Sequence, residues 1–291
     1  MSITNCHICP RNCGINRYET TGYCRSGYLL NINTWQKHYG EEPFISGKNG
    51  SGTIFFSGCN LNCVFCQNYQ ISQLNHGKNY SVQQLAEIMI QLQDDNANNI
   101  NLVTPTHFTP QIREAIIVAR KQGLKIPIVW NTNSYEKTET LKSLEGLVDI
   151  YLADFKYASE KSALKYSSAP DYFAIATLAI KEMFRQTGHI TLSQNNIATR
   201  GLVVRILVLP HDLIILDKII RWLAENIGTK LHLSLMSQYY PAWKASQYPE
   251  ISRSLTEEEY DNAVSIVNSY NFENCLIQEL DPSAEWTPEF Y

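Results

Sequence analysis

Short apolar runs alternate with helical patterns from about residue 51 onward. The runs are rich in Val, Ile and Leu, which is typical of strands covered on both faces of a sheet. The predicted strands are 53–57, 100–103, 126–130, 148–152, 202–209 and 231–236, with 275–278 as a final strand. Because helical patterns separate the strands, the chain is predicted to form a parallel sheet with helices outside it.

Local signals mark where several of the intervening helices begin. Thr109 is predicted to cap a helix with Pro110 at its first position, where a missing N–H costs little. Two capping boxes are predicted, formed by Ser81 with Gln84 and by Thr256 with Glu259. The other predicted helices are 138–147, 159–186 as one or two helices, and 212–226.

Six strand–helix units are too few for a closed eight-unit barrel, so the predicted fold class is α/β with a partial (β/α)6 barrel. A flat doubly wound sheet is the alternative. Either fold places ligands at the carboxyl ends of the strands. Residues 1–50 look irregular, with four cysteines and several Gly and Asn, and are predicted to form a cysteine-rich metal-binding extension. The barrel is predicted to span 51–291.

Charge and hydropathy narrow the function. The 291-residue chain has a net charge of −4, without the basic balance typical of a nucleic-acid binder, so no nucleic-acid partner is expected. No apolar run is long enough for a membrane helix, and the start Met-Ser-Ile-Thr-Asn-Cys does not resemble a signal peptide. We therefore expect no membrane association and a cytoplasmic location.

A reducing cytoplasm changes what the cysteines indicate. Seven of the eight lie within the first 66 residues in two tight groups, which favours metal binding over disulfides. The eighth, Cys275, is predicted to be a buried small hydrophobe in a strand.

The second cysteine group follows the first predicted barrel strand, with Cys59, Cys63 and Cys66 in the spacing C-x3-C-x2-C. Three thiolates on one loop can hold a [4Fe–4S] cube and leave its fourth iron open. An open iron can chelate the amino and carboxylate groups of a methionine, which places a sulfonium beside the cluster. A zinc knot or three unrelated thiols are the alternatives, although zinc needs a fourth ligand and none is evident in the loop.

This C-x3-C-x-aromatic-C loop, with Phe65 as its aromatic residue, resembles the radical S-adenosylmethionine (SAM) superfamily. More narrowly it resembles the pyruvate formate-lyase activating enzymes and their uncharacterised relatives, over roughly residues 50–240. The resemblance implies a radical SAM partial barrel, a [4Fe–4S] cluster, SAM, and a reductant such as flavodoxin or ferredoxin. It places Phe65 near the adenine, and Asn68 matches the polar residue that follows the loop.

Charged residues at two later strand ends match the same family. Asp154 and Lys156 resemble its Asp-x-Lys motif, and two residues apart on a strand they point to the same side. The resemblance assigns Asp154 to the ribose or methionine amine, and Lys156 and Arg205 to the methionine carboxylate. A solvated strand end and an internal salt bridge of Arg205 are the alternatives, since an unpaired buried guanidinium is expensive.

The segment after the second barrel strand departs from the family. Thr104-Pro105-Thr106-His107 stands where a Gly-Gly-Glu-Pro motif is usual. A backbone carbonyl of Thr104 or Thr106 is still able to accept from the methionine amine. His107 is a candidate for substrate binding or proton transfer, and a purely structural role is the alternative.

Two further strand ends carry weaker candidates. Asn131 and Asn133 belong to a segment that resembles the family's Thr-Asn-Gly, although Asn also favours ordinary turns. Met236 and Gln238 lie near the end of the sixth barrel strand, which resembles the adenine-contacting end of the family.

The first cysteine group can bind a second metal. It consists of four thiols, Cys6, Cys9, Cys13 and Cys24. Four thiolates can complete a structural zinc site or hold an auxiliary iron–sulfur cluster, and both remain open.

Together these features predict a radical SAM enzyme whose cluster cleaves SAM reductively to methionine and a 5′-deoxyadenosyl radical. By analogy, the radical takes hydrogen from a glycine of a partner glycyl-radical enzyme. The alternative substrate is a small molecule or a peptide side chain. A non-catalytic iron–sulfur carrier is less consistent with the sequence, because a carrier has no need of Asp154, Lys156 and Arg205.

Overall fold

The computed structural model describes residues 2–280, which form a sheet of ten strands covered by helices. The strands are β1 Leu30–His38, β2 Ser51–Phe56, β3 Lys78–Tyr80, β4 Ile100–Val103, β5 Ile128–Thr132, β6 Ile150–Asp154, β7 Thr191–Leu192, β8 Ala198–Leu207, β9 His232–Met236 and β10 Asn274–Ile277. The helices are α1 Pro43–Ser46, α2 Tyr69–Ser72, α3 Val82–Asp94, α4 Thr109–Lys121, α5 Thr138–Lys142, α6 Glu160–Ser167, α7 Tyr172–Thr187, α8 Leu216–Asn226 and α9 Glu257–Ser269. No helix within this part of the chain is long and apolar enough to cross a membrane.

The strand order is β10-β9-β8-β6-β5-β4-β2-β1-β3, with β7 paired to β8. The strands from β2 to β10 on this path run parallel, whereas β1 and β3 extend the other edge antiparallel. The six predicted barrel strands are therefore present as β2, β4, β5, β6, β8 and β9, and β10 is the predicted final strand.

The two faces of the sheet are covered differently. On the inner face Val129, Leu152 and Val203 form a small apolar cluster with Ile45 of α1. On the outer face the long helices pack on alternate residues such as Trp130 in one large core. A doubly wound sheet would carry long helices on both faces. The distribution confirms the predicted partial barrel.

Helix α1 closes the floor of this barrel at the amino ends of the strands. The ring of Phe44 meets the ring of His232 at the start of β9, with centroids 5.4 Å apart. Asn99, the residue before β4, donates through Nδ2 to the Ile45 carbonyl at 2.9 Å. The segment that follows β1 thus reaches across the barrel to β9.

The predicted capping boxes at Ser81 and Thr256 are both formed. The region 159–186 contains two helices, with Ser168 in a left-handed conformation after the first. The prediction for Thr109 was wrong, because Thr109 is the first helical residue and Phe108 occupies the N-cap position. The Thr109 hydroxyl instead donates to the Thr106 carbonyl at 2.6 Å.

The N-terminal region is more ordered than its sequence indicates. Residues 30–38 form β1, where the buried side chains of Leu30 and Ile32 alternate with polar ones. Among the described residues before Leu30 there is neither helix nor strand. The division of the chain at residue 50 stays a prediction, and 281–291 lie outside the described residues.

Candidate active site

A cavity of about 560 Å³ lies at the carboxyl ends of the parallel strands. This volume is typical of a small-molecule or cofactor site. Most of the residues singled out in the sequence line it: Cys59, Cys63, Cys66, Phe65, Asn68, Thr104, Asn131, Asn133, Asp154, Lys156, Arg205, Met236 and Gln238. The fold therefore brings the cysteine loop and the strand-end residues to one place.

The three loop thiols share this cavity. Cys59 and Cys63 are buried and Cys66 is half-buried. Each sulfur has hydrogen-bond partners at 3.0–3.5 Å: Leu61 N and Asn133 Nδ2 for Cys59, Ser167 Oγ for Cys63, and Ser72 Oγ for Cys66. Such donors stabilise negative charge on sulfur, so the loop suits thiolate ligands.

The electrostatics of the loop also suit a bound metal cluster. Burial raises the pKa of Cys59 to about 12 and that of Cys66 to about 11, and it raises the pKa of Cys63 as well. The charge of Lys156 acts against burial at all three thiols. Because a metal deprotonates the thiols that bind it, a bound cluster would offset the cost of burying three thiolates in this loop.

Arg205 lies at the centre of a buried charge network on the cavity wall. Its Nε is 2.9 Å from Asp154 Oδ1, its Nη1 is 2.9 Å from Glu41 Oε2, and its Nη2 donates to Asn131 Oδ1 at 2.6 Å. Lys156 Nζ donates to Asp154 Oδ2 at 2.9 Å. The internal salt bridge considered for Arg205 is thus present, and its members line the cavity at the same time.

These pairs keep both signs of charge inside the cavity. Burial alone would raise the pKa of Asp154, but Arg205 and Lys156 outweigh it and hold that pKa below its ordinary value. Burial would lower the pKa of Lys156, but Asp154 and Cys63 outweigh it and raise that pKa. At neutral pH the wall therefore offers a carboxylate, an ammonium and a guanidinium to a ligand.

Glu41 and Glu42 also line the cavity, and the sequence did not single them out. Glu41 Oε1 accepts from Asn101 at 2.8 Å and from Asn131 at 3.3 Å. Burial raises the pKa of Glu42, and among the described residues its Oε2 has no hydrogen-bond partner. In the sequence these residues are visible only as two adjacent acids before Pro43. They lie in a segment that precedes the predicted barrel.

Thr106 and His107 lie outside the cavity, in a turn of 3₁₀ helix directed into the interior. Thr106 Oγ1 donates to buried Glu136 at 2.8 Å. His107 Nε2 is 2.9 Å from the Ser57 carbonyl. Burial, together with the charge of Arg17, lowers the pKa of His107 to about 3, so its ring is neutral at physiological pH. The structure therefore does not bring these two residues to the cavity, and a role for them in cofactor binding or proton transfer stays a prediction.

Thr104 does line the cavity, in a strained conformation. Its φ of 57° is in the left-handed region, which is uncommon for a β-branched residue. The Thr104 N–H donates to the Asn131 carbonyl at 3.0 Å. Strain of this kind collects at functional sites, where surrounding contacts hold it in place.

The segment after β9 packs against the cysteine loop. The rings of Phe65 and Tyr239 meet edge to face, with centroids 5.7 Å apart. Gln67 Nε2 donates to the Gln238 carbonyl at 2.9 Å, and Lys244 N donates to the Val64 carbonyl at 2.8 Å. Phe65 therefore gives the cavity an apolar wall beside the cysteines.

The four N-terminal thiols also come together. Burial raises the pKa of Cys9 to about 12, and the neighbouring Cys24, Cys13 and Cys6 each raise it further. A side chain at Gly22 would place its Cβ 3.4 Å from Cys13 Sγ and 3.7 Å from Cys24 Sγ. All eight cysteines are free thiols.

Neither group of cysteines surrounds a single point. Within residues 2–280, no three His, Cys, Asp or Glu side chains converge as the ligands of one metal ion do. An iron–sulfur cube takes one thiolate per iron, so its ligands surround it at a distance.

The chain belongs to the radical SAM superfamily. The model of that superfamily matches residues 53–223, from β2 into α8, which is more than half of the chain. Members are enzymes that cleave SAM with a [4Fe–4S] cluster. The cysteine loop and the cavity described above are consistent with a bound cluster and with bound SAM.

The chain is also similar to individual proteins in sequence and in fold. The chain is 33% identical over 277 residues to uncharacterized protein MJ0674 of Methanocaldococcus jannaschii, covering 92% of this chain and 76% of the relative. The structure of the FeFe-hydrogenase maturase HydG from Carboxydothermus hydrogenoformans matches with a TM-score of 0.52 at 13% identity, over 75% of this chain and 50% of HydG. This chain thus spans about half the length of HydG, and the likeness concerns the fold alone.

A weaker structural match is a domain of pyruvate-formate lyase-activating enzyme from Bacteroides vulgatus. Its TM-score is 0.43 at 13% identity, over 59% of this chain and 92% of the domain.

Proposed function

We propose that Cys59, Cys63 and Cys66 hold the [4Fe–4S] cluster and that the adjoining cavity holds SAM. The observation that carries this proposal is that three hydrogen-bonded thiols and a charge network with both signs line one cavity. With one electron from a donor such as flavodoxin or ferredoxin, the bound groups supply reductive cleavage of SAM to methionine and a 5′-deoxyadenosyl radical.

The residues around the loop would bind and orient SAM. Lys156 and Arg205 supply positive charge for the methionine carboxylate, and Asp154 accepts from the amine or the ribose hydroxyls. The Thr104 carbonyl is a further acceptor at the strained turn after β4. Phe65 supplies an apolar surface for the adenine, and Met236 lies across the same cavity.

The anaerobic test of this activity uses cluster reconstitution, then dithionite and SAM, with 5′-deoxyadenosine as the measured product. We expect product from the native chain and from Cys275→Ala, which removes a thiol in β10 far along the chain. Cys66→Ala is expected to lose the product together with most of the cluster absorbance. Absence of 5′-deoxyadenosine from the fully reconstituted native protein would overturn the proposal.

We propose that the radical acts on a small molecule or a peptide side chain. The observation that favours this substrate class is the cavity volume of about 560 Å³, which is typical of a small-molecule site. The other candidate is a glycine of a partner glycyl-radical enzyme, which rests on the resemblance of the cysteine loop. A carrier without catalysis is disfavoured, because a carrier does not require the ligand-binding wall around Arg205.

Isotope transfer separates the two substrate classes. The enzyme is incubated with extract from cells of its own source grown in deuterated medium, divided by ultrafiltration. Deuterium in 5′-deoxyadenosine with the small-molecule fraction supports the first candidate. Deuterium only with the protein fraction, accompanied by a glycyl-radical signal in electron paramagnetic resonance (EPR), supports the second.

We also propose a second metal centre on Cys6, Cys9, Cys13 and Cys24. The two candidates are structural zinc and an auxiliary cluster, and the cluster fits the structure better because no three of these side chains converge on one point. The mutual proximity of the four thiols supports the second centre. Metal and sulfide are counted on a variant in which Cys59, Cys63 and Cys66 are all alanine. Free thiols and iron–sulfur clusters are typical of a reducing compartment, so we infer that the protein is located in the cytoplasm.

A further inference from the structure

Glu42 is a buried acid on the cavity wall that forms no ion pair with any residue from 2 to 280. Its exposed fraction is 8%, and its Oε2 is buried without a hydrogen-bond partner. The cations of the cavity are bound elsewhere. Arg205 pairs with Glu41 and Asp154, and Lys156 pairs with Asp154 as well. A buried carboxylate is costly unless it is paired, so Glu42 lacks the partner that its charge requires.

The charges that line the cavity differ by one in number. Three carboxyl groups and two cationic side chains are present, namely Glu41, Glu42, Asp154, Lys156 and Arg205. The proposed cluster and SAM leave this difference unchanged. A [4Fe–4S]²⁺ core with three thiolates carries one net negative charge, and SAM carries one net positive charge. One further cation would therefore balance the cavity, and Glu42 is the acid without one.

The position of Glu42 separates it from the cysteine loop. Glu42 directly precedes α1, which packs at the amino ends of the strands through Phe44 and Ile45. The cysteine loop follows the carboxyl end of β2. Burial raises the pKa of Glu42, and Arg205 and the Ser234 hydroxyl act against burial. The carboxyl group thus lies at the end of the cavity opposite the loop, where a ligand beyond SAM would bind.

We propose that the substrate of the radical carries a protonated amine or guanidine and that Glu42 binds this cation at the floor of the cavity. The inference rests on the radical chemistry proposed above and names the class of its substrate. The ion pair fixes one end of the substrate and directs the other end toward the loop. There a substrate C–H bond breaks, its hydrogen atom forms the new C–H bond of 5′-deoxyadenosine, and the unpaired electron stays on the substrate carbon.

The test uses the full reconstituted chain with dithionite and excess unlabelled SAM. Small molecules are extracted from cells of the protein's own source grown in deuterated medium. The extract is acidified to about pH 2, where carboxylic acids are neutral while amines and guanidines are charged, and is passed over a cation exchanger. The retained and flow-through fractions are neutralised and assayed for 5′-deoxyadenosine with one deuterium. SAM from the extract carries several deuterium atoms, so mass distinguishes its product.

We expect the native chain to take deuterium from the retained fraction. Glu42→Gln keeps the size of the side chain and removes its charge, so it should need at least about tenfold more of that fraction for half-maximal transfer. Glu42→Asp should retain part of the native response. The matched control is Glu87→Gln, which removes an exposed acid on α3 and should behave as the native chain does.

Thermal unfolding distinguishes a binding role from a structural one. Glu42→Met has a similar size, and it should melt no lower than the native chain without SAM or substrate, because it removes an unpaired buried acid. A carboxyl group that serves only the fold would give a lower melting temperature, and this would overturn the inference.

The remaining outcomes separate this inference from the radical chemistry. Transfer from the flow-through fraction alone, or from neither fraction, would overturn the role of Glu42 while 5′-deoxyadenosine still forms. The same holds if Glu42→Gln loses as much SAM affinity in equilibrium dialysis as it loses deuterium transfer, since Glu42 would then bind SAM. Absence of 5′-deoxyadenosine from the native chain with any fraction would overturn the radical chemistry itself.

Discussion

At the scale of single residues, the charges in the cavity depend on one another. Asp154 is flanked by Lys156 and Arg205, and all three side chains are less than one-fifth exposed. Removal of one partner from a buried ion pair leaves the other charge uncompensated. The resulting loss in free energy of unfolding exceeds what the pair contributed to it. The strand-end pattern predicted that these residues share a site, but their pairing depends on β6 and β8 being neighbours.

Asp154→Asn is expected to lower the free energy of unfolding by about 3 kcal/mol, because it leaves Lys156 and part of Arg205 unpaired. SAM binding should weaken as well, measured by equilibrium dialysis. The control is Asp217→Asn, which breaks an exposed pair with Arg221 and should change stability far less. Equal losses in urea denaturation for the two variants would contradict the importance of burial.

His107 predicts a dependence of stability on pH. Its pKa is lowered from 6.5 to about 3 on folding, so the unfolded chain binds an additional proton between those values. The neutral ring therefore costs the folded state nothing above about pH 6.5. As the pH falls from there toward 3, the free energy of unfolding decreases by up to roughly 1.4 kcal/mol per pH unit.

The neutral variant His107→Gln should therefore lose less stability than the native chain between pH 7 and pH 5. Urea midpoints at several pH values measure the difference. Parallel curves would show that His107 does not remain neutral in the folded state.

At the scale of elements, α1 shows how a short helix depends on its surroundings. Four residues cannot form a stable helix alone, so packing against the barrel floor must hold it. Ile45 is fully buried there among β5, β6 and β8 side chains. The sequence did not predict α1, because a four-residue helix shows no period, whereas the capping boxes of α3 and α9 were visible as local patterns.

Ile45→Ala should destabilise the protein by about 3 kcal/mol, because it removes buried methyl groups and leaves a cavity in the floor. The control is Ile117→Ala on the solvent side of α4, where the side chain is 41% exposed. Denaturation midpoints that shift equally would show that α1 does not close the barrel.

At the scale of the whole molecule, the sequence predicted the parallel barrel because its strands are continuous apolar runs with helical patterns between them. It predicted the main cavity residues because strand ends meet at one edge of such a sheet. It could not place Glu41 in the cavity, since β1 pairs with β2 only through long-range register. It could not place His107 outside the cavity, since one turn of 3₁₀ helix decides where that ring points. The unpaired carboxyl group of Glu42 is equally invisible until the fold surrounds it.

The N-terminal segment is expected to hold the radical loop in shape. Arg11 Nε donates to the Asn60 carbonyl at 2.7 Å, and its guanidinium lies 3.8 Å from the Tyr23 ring centroid. Loss of the second centre through Cys9→Ala should therefore raise amide hydrogen exchange in residues 57–63, while α3 stays protected. Cys275→Ala, which removes a thiol outside both groups, should change neither region. Unaltered exchange in 57–63 after confirmed loss of the N-terminal metal would mean that the two cysteine groups are mechanically independent. The second centre would then have to act by electron transfer or not at all.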